Sequence, residues 1–183
     1  MNRLAQEAVI VGLARRLNDE GSWSGETHIQ KAAYLLHGLT GIPFDFEFIL
    51  YKHGPFSFEL RDELTSMRSD RLIDRQTQPP PYGPRIVATE RGQQLEERFQ
   101  KTTNRYRRQL DWIASRIGDR GVMDLERLAT ALWVTRRLGE NAAVQERAEA
   151  VSELKPRVSV ERAAEAVEEV DTLIEESPDF AST

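Results

Sequence analysis

Apolar residues recur every three or four positions along most of the chain, which is the spacing that places them on one face of an α-helix. This pattern predicts helices at residues 3–19, 28–39, 57–69, 90–117, 125–138, 142–154 and 160–174. Four of these helices follow residues that typically cap a helix N-terminus, namely Thr27, Thr89, Asp124 and Ser159.

The segments between the helices predict a few short strands. Residues 48–51 are rich in aromatic and β-branched side chains, and residues 72–76 and 85–88 flank a proline-rich loop at 76–84. We expect the last two segments to pair as an antiparallel hairpin. His53-Gly54-Pro55 is typical of a turn, and we expect Pro55 to lie at or near the first position of the following helix.

A third helix followed directly by a hairpin is typical of a winged helix-turn-helix. The predicted fold is therefore mostly α with a small β wing, that is, a winged helix-turn-helix followed by C-terminal helices. We expect a winged-helix domain at residues 1–118, a helical segment at 119–176 that contacts a second protomer or a partner, and a frayed tail at 177–183.

Composition narrows the class of protein. Hydrophobic residues make up 39% of the 183 residues and charged residues 30%, and no apolar run approaches the roughly 20 residues that a membrane-spanning helix needs. The chain contains no cysteine, which excludes disulfides and thiol chemistry. Charged residues interrupt the apolar positions near the N-terminus, unlike in a signal peptide, so we expect a cytoplasmic protein without a membrane partner.

Charge is distributed unevenly along the chain. Residues 1–118 carry 17 Lys and Arg against 15 Asp and Glu, a net charge of +2, whereas residues 119–183 carry 8 against 15, a net charge of −7. A surface that binds nucleic acid is therefore expected in the first part, and the acidic last third is expected to face solvent or a protein.

Three segments resemble a known group of proteins: the helix HIQKAAYLL at 28–36, the turn YKHGPFSFEL at 51–60, and VATERG at 87–92. They are similar to the YwgA-like proteins and, more distantly, to the Panacea-domain (SocA-like) antitoxins, which share a K-x-x-Y-L helix, a Y-x-x-G-P-x-S turn and a strand ending in T-x-x-G. The resemblance extends over about residues 27–174. It implies a winged-helix scaffold in a regulator, an antitoxin or a defence-associated module, with no known activity.

The helix at 57–69 is the candidate recognition helix, whose outward residues would reach the major groove of DNA. The candidate DNA-binding residues on this helix and on the wing are Ser57, Arg61, Thr65, Arg68, Arg75 and Arg85. Glu59, Asp62 and Glu63 oppose this interpretation because they carry negative charge towards the phosphates. The alternative is an amphipathic helix with an ordinary solvated face.

No catalytic constellation is evident. His28 and His37 are nine residues apart, which is not the spacing that places two imidazoles on one metal, and His53 is more typical of a turn hydrogen bond. We therefore expect no metal, no cofactor and no enzymatic activity.

We expect the protein to act by binding double-stranded DNA as a homodimer, with Leu132 and Trp133 near the seam between protomers. The alternative is an antitoxin-like or adaptor protein in which the same scaffold binds a protein partner such as a toxin.

Overall fold

The computed structural model describes residues 1–80 and 83–177, which form a mostly helical fold with two small antiparallel sheets. The helices are α1 (Arg3–Asp19), α2 (Glu26–Thr40), α3 (Phe58–Ser69), α4 (Glu90–Arg98), α5 (Gln100–Arg105), α6 (Arg107–Ile117), α7 (Val122–Leu138), α8 (Val144–Leu154) and α9 (Val160–Glu176). The strands are β1 (Ile49–Tyr51), β2 (Gly54–Phe56), β3 (Ile73–Gln76) and β4 (Arg85–Ala88).

The core is built around α1 and α2. In α1 the residues Ala8 to Ala14 are all buried, because α2, α4, α5, α6 and β4 pack around this helix. A helix that is apolar on all sides has to lie inside a protein. Each fully buried Leu, Ile or Val side chain contributes about 1.5–3 kcal/mol to stability. Buried residues of α1, α2, α6 and α7 belong to one hydrophobic core, so this core joins the N-terminal helices to α6 and α7.

The predicted starts of three helices are wrong by two or three residues. Helix α8 begins at Val144, where residue 142 was predicted. Helix α2 begins at Glu26 after Gly25, and α7 begins at Val122 after Gly121, so neither Thr27 nor Asp124 is the N-cap. In both helices the extended residue that precedes the first turn is a glycine without a capping side chain. The predicted caps of α4 and α9 are confirmed, since Thr89 and Ser159 accept hydrogen bonds from backbone amides of their first turns.

The predicted hairpin is confirmed. Strands β3 and β4 pair antiparallel, with Ile73 opposite Ala88 and Gln76 opposite Arg85. The outer edge of β4 is also covered, because the Ile86 amide donates to the Ser24 carbonyl at 3.0 Å and the Ile86 carbonyl accepts from the Asn18 side chain at 3.0 Å. The segment between α1 and α2 thus binds to the hairpin from the other side.

The Thr-x-x-Gly sequence joins this hairpin to α4. The Thr89 hydroxyl accepts from the Gly92 amide at 3.1 Å and donates to the Arg71 carbonyl at 2.5 Å. Gly92 lies so close to the hairpin that a Cβ atom there would be 2.1 Å from the Leu72 carbonyl oxygen. Only a residue without a side chain fits this contact.

A second hairpin precedes α3, where the sequence predicted a single strand and a turn. Strands β1 and β2 pair antiparallel, with Ile49 opposite Phe56 and Tyr51 opposite Gly54. Pro55 therefore lies inside β2 and not at the start of the helix. Gly54 has a φ of +88°, a conformation that favours glycine, and a Cβ atom there would be 2.7 Å from the hydroxyl of Thr130 on α7.

The long helix predicted for residues 90–117 is divided into α4, α5 and α6. The interruptions are at Phe99 and Tyr106, where ψ is 28° and 9°. Because α4, α5 and α6 all contact α1, the interruptions allow this segment to follow the surface of the central helix. Helical periodicity continues across both points, so the pattern alone predicts no break.

The C-terminal helices α7, α8 and α9 pack against one another. Arg147 of α8, which is 2% exposed, forms two hydrogen bonds with Asp171 of α9, at 2.6 and 2.7 Å. Ser177, the first residue of the predicted tail, is buried, and its hydroxyl donates to the Ile174 carbonyl. The rest of that tail, residues 178–183, lies outside the described residues.

We predict that Gly92→Ala lowers the free energy of unfolding by about 1–3 kcal/mol, the usual cost of overpacking. Alanine would otherwise stabilise a helix by about 1 kcal/mol relative to glycine, so the sign of the change tests the contact with Leu72. Urea denaturation measures the change, and Gln94→Ala on the exposed side of α4 is the control. A Gly92→Ala variant as stable as the wild type would contradict the close contact.

Candidate nucleic-acid interface

The start of α3 is fixed by a buried serine. Ser57 is fully buried, and its hydroxyl accepts from the Leu60 amide at 3.2 Å. Its backbone amide donates to the side chain of Gln30 at 3.0 Å, and its carbonyl accepts from the same side chain at 2.9 Å. Ser57 is therefore a helix cap inside the chain and not a contact for DNA, which corrects the sequence-based expectation.

The outward face of α3 carries the other predicted residues of this helix. Leu60, Leu64 and Met67 are buried, which leaves Arg61 and Thr65 exposed on the other side, together with Arg68. The Arg61 guanidinium donates to Asp62 at 2.8 Å. This face thus combines two cations and a hydroxyl.

The carboxylates of α3 do not all share that face. Glu63 turns towards α1, where it pairs with Arg3 at 2.9 Å, and only 14% of its side chain is exposed. Glu59 accepts from the amide of Glu47 at 2.5 Å. Asp62 is 70% exposed and remains beside Arg61. Glu63 is therefore withdrawn from the outward surface, whereas Glu59 and Asp62 remain exposed.

The two arginines of the β3–β4 hairpin, which is the predicted wing, have different surroundings. Arg75 is exposed and pairs with Glu26 at 3.3 Å, and it lines a crevice together with Thr65 and Arg68 of α3. Arg85 is partly buried and donates to both the side chain and the backbone carbonyl of Asn18. Arg75 thus lies beside α3, whereas Arg85 attaches the wing to the end of α1.

A buried carboxyl links α1 to α3. Glu7 is 1% exposed, and its carboxyl lies 3.3 Å from the guanidinium of Arg3, which also pairs with Glu63. Burial and the neighbouring Glu63 raise the pKa of Glu7 to about 7. Between about pH 4.5 and pH 7, where an ordinary carboxyl is ionised, the Glu7 carboxyl therefore keeps its proton.

A buried lysine, the first residue of the K-x-x-Y-L sequence, joins α2 to β2. Lys31 is 1% exposed and donates to the Pro55 carbonyl at 2.7 Å. Burial lowers its pKa to about 8, against the effect of nearby Glu126. Glu126 of α7 also lies 3.4 Å from Lys155 and 3.5 Å from His53. The sequence shows Lys31 as part of the K-x-x-Y-L motif but does not show that it is buried or which carbonyl it binds.

An exposed aromatic cluster lies where the first hairpin meets α3, and sequence reasoning missed it too. The rings of Tyr51, Phe56 and Phe58 lie 5.1–5.8 Å apart, and Tyr51 and Phe58 are 45% and 39% exposed. The Arg61 guanidinium lies 5.0 Å from the Phe58 ring, and the Lys52 ammonium lies 5.8 Å from the Tyr51 ring. A cation within about 6 Å of a ring centre is attracted by the ring quadrupole, so these contacts help to order both the rings and the two cations.

A cleft of about 1090 Å³ lies between the wing and the N-terminal ends of α2 and α7. Trp23, Ile86 and Met123 contribute apolar surface to it. Its arginines and carboxylates are Arg75, Arg127, Arg162, Glu26, Asp119 and Asp124. Because these charges balance, the lining favours neither an anion nor a cation.

The predicted seam residues lie on α7. Leu132 is fully buried within its own chain, so it does not form the surface of a dimer, which corrects the expectation. Trp133 is half-buried, with its ring 6.2 Å from that of Tyr34. Part of Trp133 therefore remains accessible.

The histidines have separate surroundings. His28 is buried with Nε2 3.2 Å from the Arg120 carbonyl, and His37 Nδ1 lies 2.8 Å from the Ile42 carbonyl. His53 is exposed and faces Glu126. Among residues 1–80 and 83–177, no group of three or more His, Asp or Glu side chains is arranged to hold a metal.

No protein-family model matches this chain, and no curated protein is detectably similar to it. The resemblance to the YwgA-like group therefore stays a prediction. Within the part of the chain that the structure describes, no helix has both the length and the apolar character needed to cross a bilayer.

We predict that Glu7→Gln changes how stability depends on pH. In the wild type, a folded-state pKa raised from 4.5 to about 7 contributes stability that is complete below pH 4.5 and is lost as the pH rises to about 7. The glutamine cannot ionise and avoids this loss. At 1.36 kcal/mol per pKa unit, the rise of the Glu7 pKa from 4.5 to about 7 corresponds to about 3 kcal/mol, in which the pairing with Arg3 is already included. At pH 8 the variant should therefore be more stable than the wild type by up to about 3 kcal/mol.

Denaturation curves between pH 4.5 and 8 measure this difference, with the exposed Glu97→Gln as the control. If the stability difference between wild type and Glu7→Gln is the same at every pH, Glu7 ionises normally in the folded protein.

Proposed function

We propose that this protein is a winged-helix DNA-binding regulator that acts by binding and not by catalysis. The order of elements supports this proposal: α1, the segment bound to β4, α2, α3 and then the β3–β4 hairpin, with the β1–β2 hairpin inserted between α2 and α3. In this interpretation α3 is the recognition helix, β3–β4 is the wing, and α7 to α9 are an addition to the winged unit. In such folds the recognition helix enters the major groove.

The observation that carries the proposal is the arrangement of Thr65, Arg68 and Arg75. These residues come from α3 and from β3 and line the same crevice, so one surface offers two guanidiniums and a hydroxyl. The carboxylates of Glu26 and Asp74 line it as well, and Glu26 pairs with Arg75. Arginine and threonine side chains are common donors to phosphate oxygens and base edges. Because Glu63 points towards α1, this surface is less acidic than the sequence of α3 indicates.

We also propose that the regulator is a homodimer. A dimer that binds two DNA half-sites has a higher affinity and specificity than a single small DNA-binding domain. Trp133 is the remaining candidate for the contact between protomers. Light scattering at micromolar concentration tests the dimer, and a monomer there would refute it.

The second candidate function is an antitoxin-like or adaptor protein that binds a protein partner. The acidic surface of α9 favours it, because this helix exposes Glu161, Glu165, Glu168 and Glu175. A carboxylate surface repels phosphates and attracts a basic protein.

We predict that the wild type binds duplex DNA with a steep salt dependence, because bound cations displace counterions from the phosphates. Arg68→Ala and Arg75→Ala should each weaken binding to all sequences and reduce the salt slope by about one unit. Fluorescence anisotropy on a random-sequence duplex and on the promoter of its own gene measures both quantities. Arg157→Ala, an exposed arginine between α8 and α9, is the matched control and should bind normally.

The outcome that would overturn the regulator proposal is the absence of binding to any duplex at low salt. Co-purification of a protein partner under the same conditions would then support the antitoxin or adaptor function.

We predict that Asp62→Asn tightens non-specific DNA binding by about threefold at low salt. The change removes a negative charge from the outward face and frees the Arg61 guanidinium, and a unit charge acting through water contributes about 1 kcal/mol at 4 Å and less further away. Titrations with the same duplexes measure the effect, and Glu153→Gln on α8 is the control. If Asp62→Asn leaves the affinity unchanged, α3 does not face the DNA.

A further inference from the structure

We propose that the pocket beside Lys31 binds a small molecule that carries a carboxylate and an aromatic ring. This pocket has a volume of about 280 Å³ and lies between α2, which contributes Thr27 and Lys31, and the first hairpin, which contributes Tyr51 and Phe56. Ligand pockets have volumes of about 300–1,000 Å³, so a pocket of this size takes a small ligand. Such a site is independent of the surface proposed to bind DNA.

The buried ammonium group of Lys31 has more donors than the protein satisfies. It is 1% exposed and donates to the Pro55 carbonyl at 2.7 Å. Within residues 1–80 and 83–177 this is its one hydrogen bond, whereas an ammonium group has three N–H donors. Burying a charged group is costly unless its donors find partners. A ligand in the pocket that offers an acceptor would therefore stabilise the buried charge.

The charges around this ammonium group favour an anionic ligand. Glu126 of α7 attracts Lys31, but Lys155 at the end of α8 repels it. The two carboxylate oxygens of Glu126 lie 3.4 Å from Lys155 and 3.5 Å from His53. Two ammonium groups around one carboxylate leave an excess of one positive charge. Glu26 also lines the pocket, but its carboxylate is paired with the exposed arginine of β3.

The rest of the pocket supplies a further donor and an aromatic surface. Thr27 precedes Lys31 by four residues, so the two side chains lie on the same face of α2. The rings of Tyr51 and Phe56 lie 5.8 Å apart, and Tyr51 is 45% exposed. The carboxylate of the ligand would accept from Lys31 and Thr27, while its ring packs against Tyr51 and Phe56.

The test compares aromatic acids with their uncharged amides. The probes are benzoate, phenylacetate and 3-phenylpropionate, in which the carboxylate lies at increasing distance from the ring. Ligand-observed NMR relaxation with the full chain at pH 7 measures their affinities. We expect saturable binding of at least one acid, and binding of its amide about tenfold weaker, the affinity equivalent of a hydrogen bond to a charged group. Acetate should bind more weakly than that acid because it has no ring.

Binding of the acid should also depend on pH. Burial lowers the pKa of Lys31 to about 8, so its ammonium form predominates at pH 7 and its neutral amine at pH 9. The carboxylate of the ligand stays ionised throughout this range. The affinity for the acid should therefore fall by about five- to tenfold between pH 7 and pH 9, and the affinity for the amide should not change.

Three variants assign the binding to this pocket. Lys31→Met should remove the difference between the acid and its amide. Because this change also breaks the bond to Pro55, a second variant, Thr27→Val, leaves that bond in place and should weaken binding of the acid by about threefold. Lys52→Met is the matched control, since Lys52 lies beside Tyr51 but does not line the pocket, and it should bind the acid like the wild type.

Several outcomes would overturn the proposal. If no acid binds saturably, or if each acid binds no better than its amide, Lys31 serves only to position β2. The same conclusion follows if the affinity of the wild type for the acid is equal at pH 7 and pH 9. Equal losses in Lys31→Met and Lys52→Met would place the acid on the exposed aromatic cluster and outside the pocket. None of these results would change the proposal that the protein binds DNA.

Discussion

Two buried polar side chains of α2 determine where α3 begins. Gln30 and Lys31 are each at most 1% exposed, and a buried amide or ammonium without partners is costly. Gln30 satisfies both backbone groups of Ser57, and Lys31 satisfies the carbonyl of Pro55. Because these backbone groups belong to the residues just before α3, the start of α3 is positioned by hydrogen bonds inside the core. The aromatic cluster and Arg61 depend on the same contacts.

The sequence predicts the helices and the β3–β4 hairpin well, since these elements depend on local periodicity and turn chemistry. It fails where a long-range contact decides the structure. Gly54-Pro55 is typical of a turn, yet it forms a strand because α2 and α7 hold it from both sides. The interruptions at Phe99 and Tyr106 follow from the curvature around α1, which leaves no trace in the helical pattern.

Only part of the candidate site was predictable, because local spacing in the sequence does not show long-range contacts. Helical spacing is sufficient to place Arg61, Thr65 and Arg68 on the outward face of α3. It says nothing about what a charged side chain meets across the fold, so Glu63 and Arg85 were expected at the surface that would contact DNA. The structure turns Glu63 towards Arg3 and Arg85 towards Asn18. Partners more than 50 residues away in sequence decide both cases.

The bond between the Ile86 amide and the Ser24 carbonyl has a mechanical consequence. The base of the β3–β4 hairpin is held in place because β4 pairs with β3 on one side and with the segment between α1 and α2 on the other. Thr89 and Gly92 connect the hairpin to α4. Such a base cannot pivot independently of the central helices. In a complex between the proposed regulator and DNA, adjustment of the angle between wing and recognition helix would therefore be small. Complementarity would have to come from bending of the duplex, so the flexibility of the DNA would contribute to which sites are chosen.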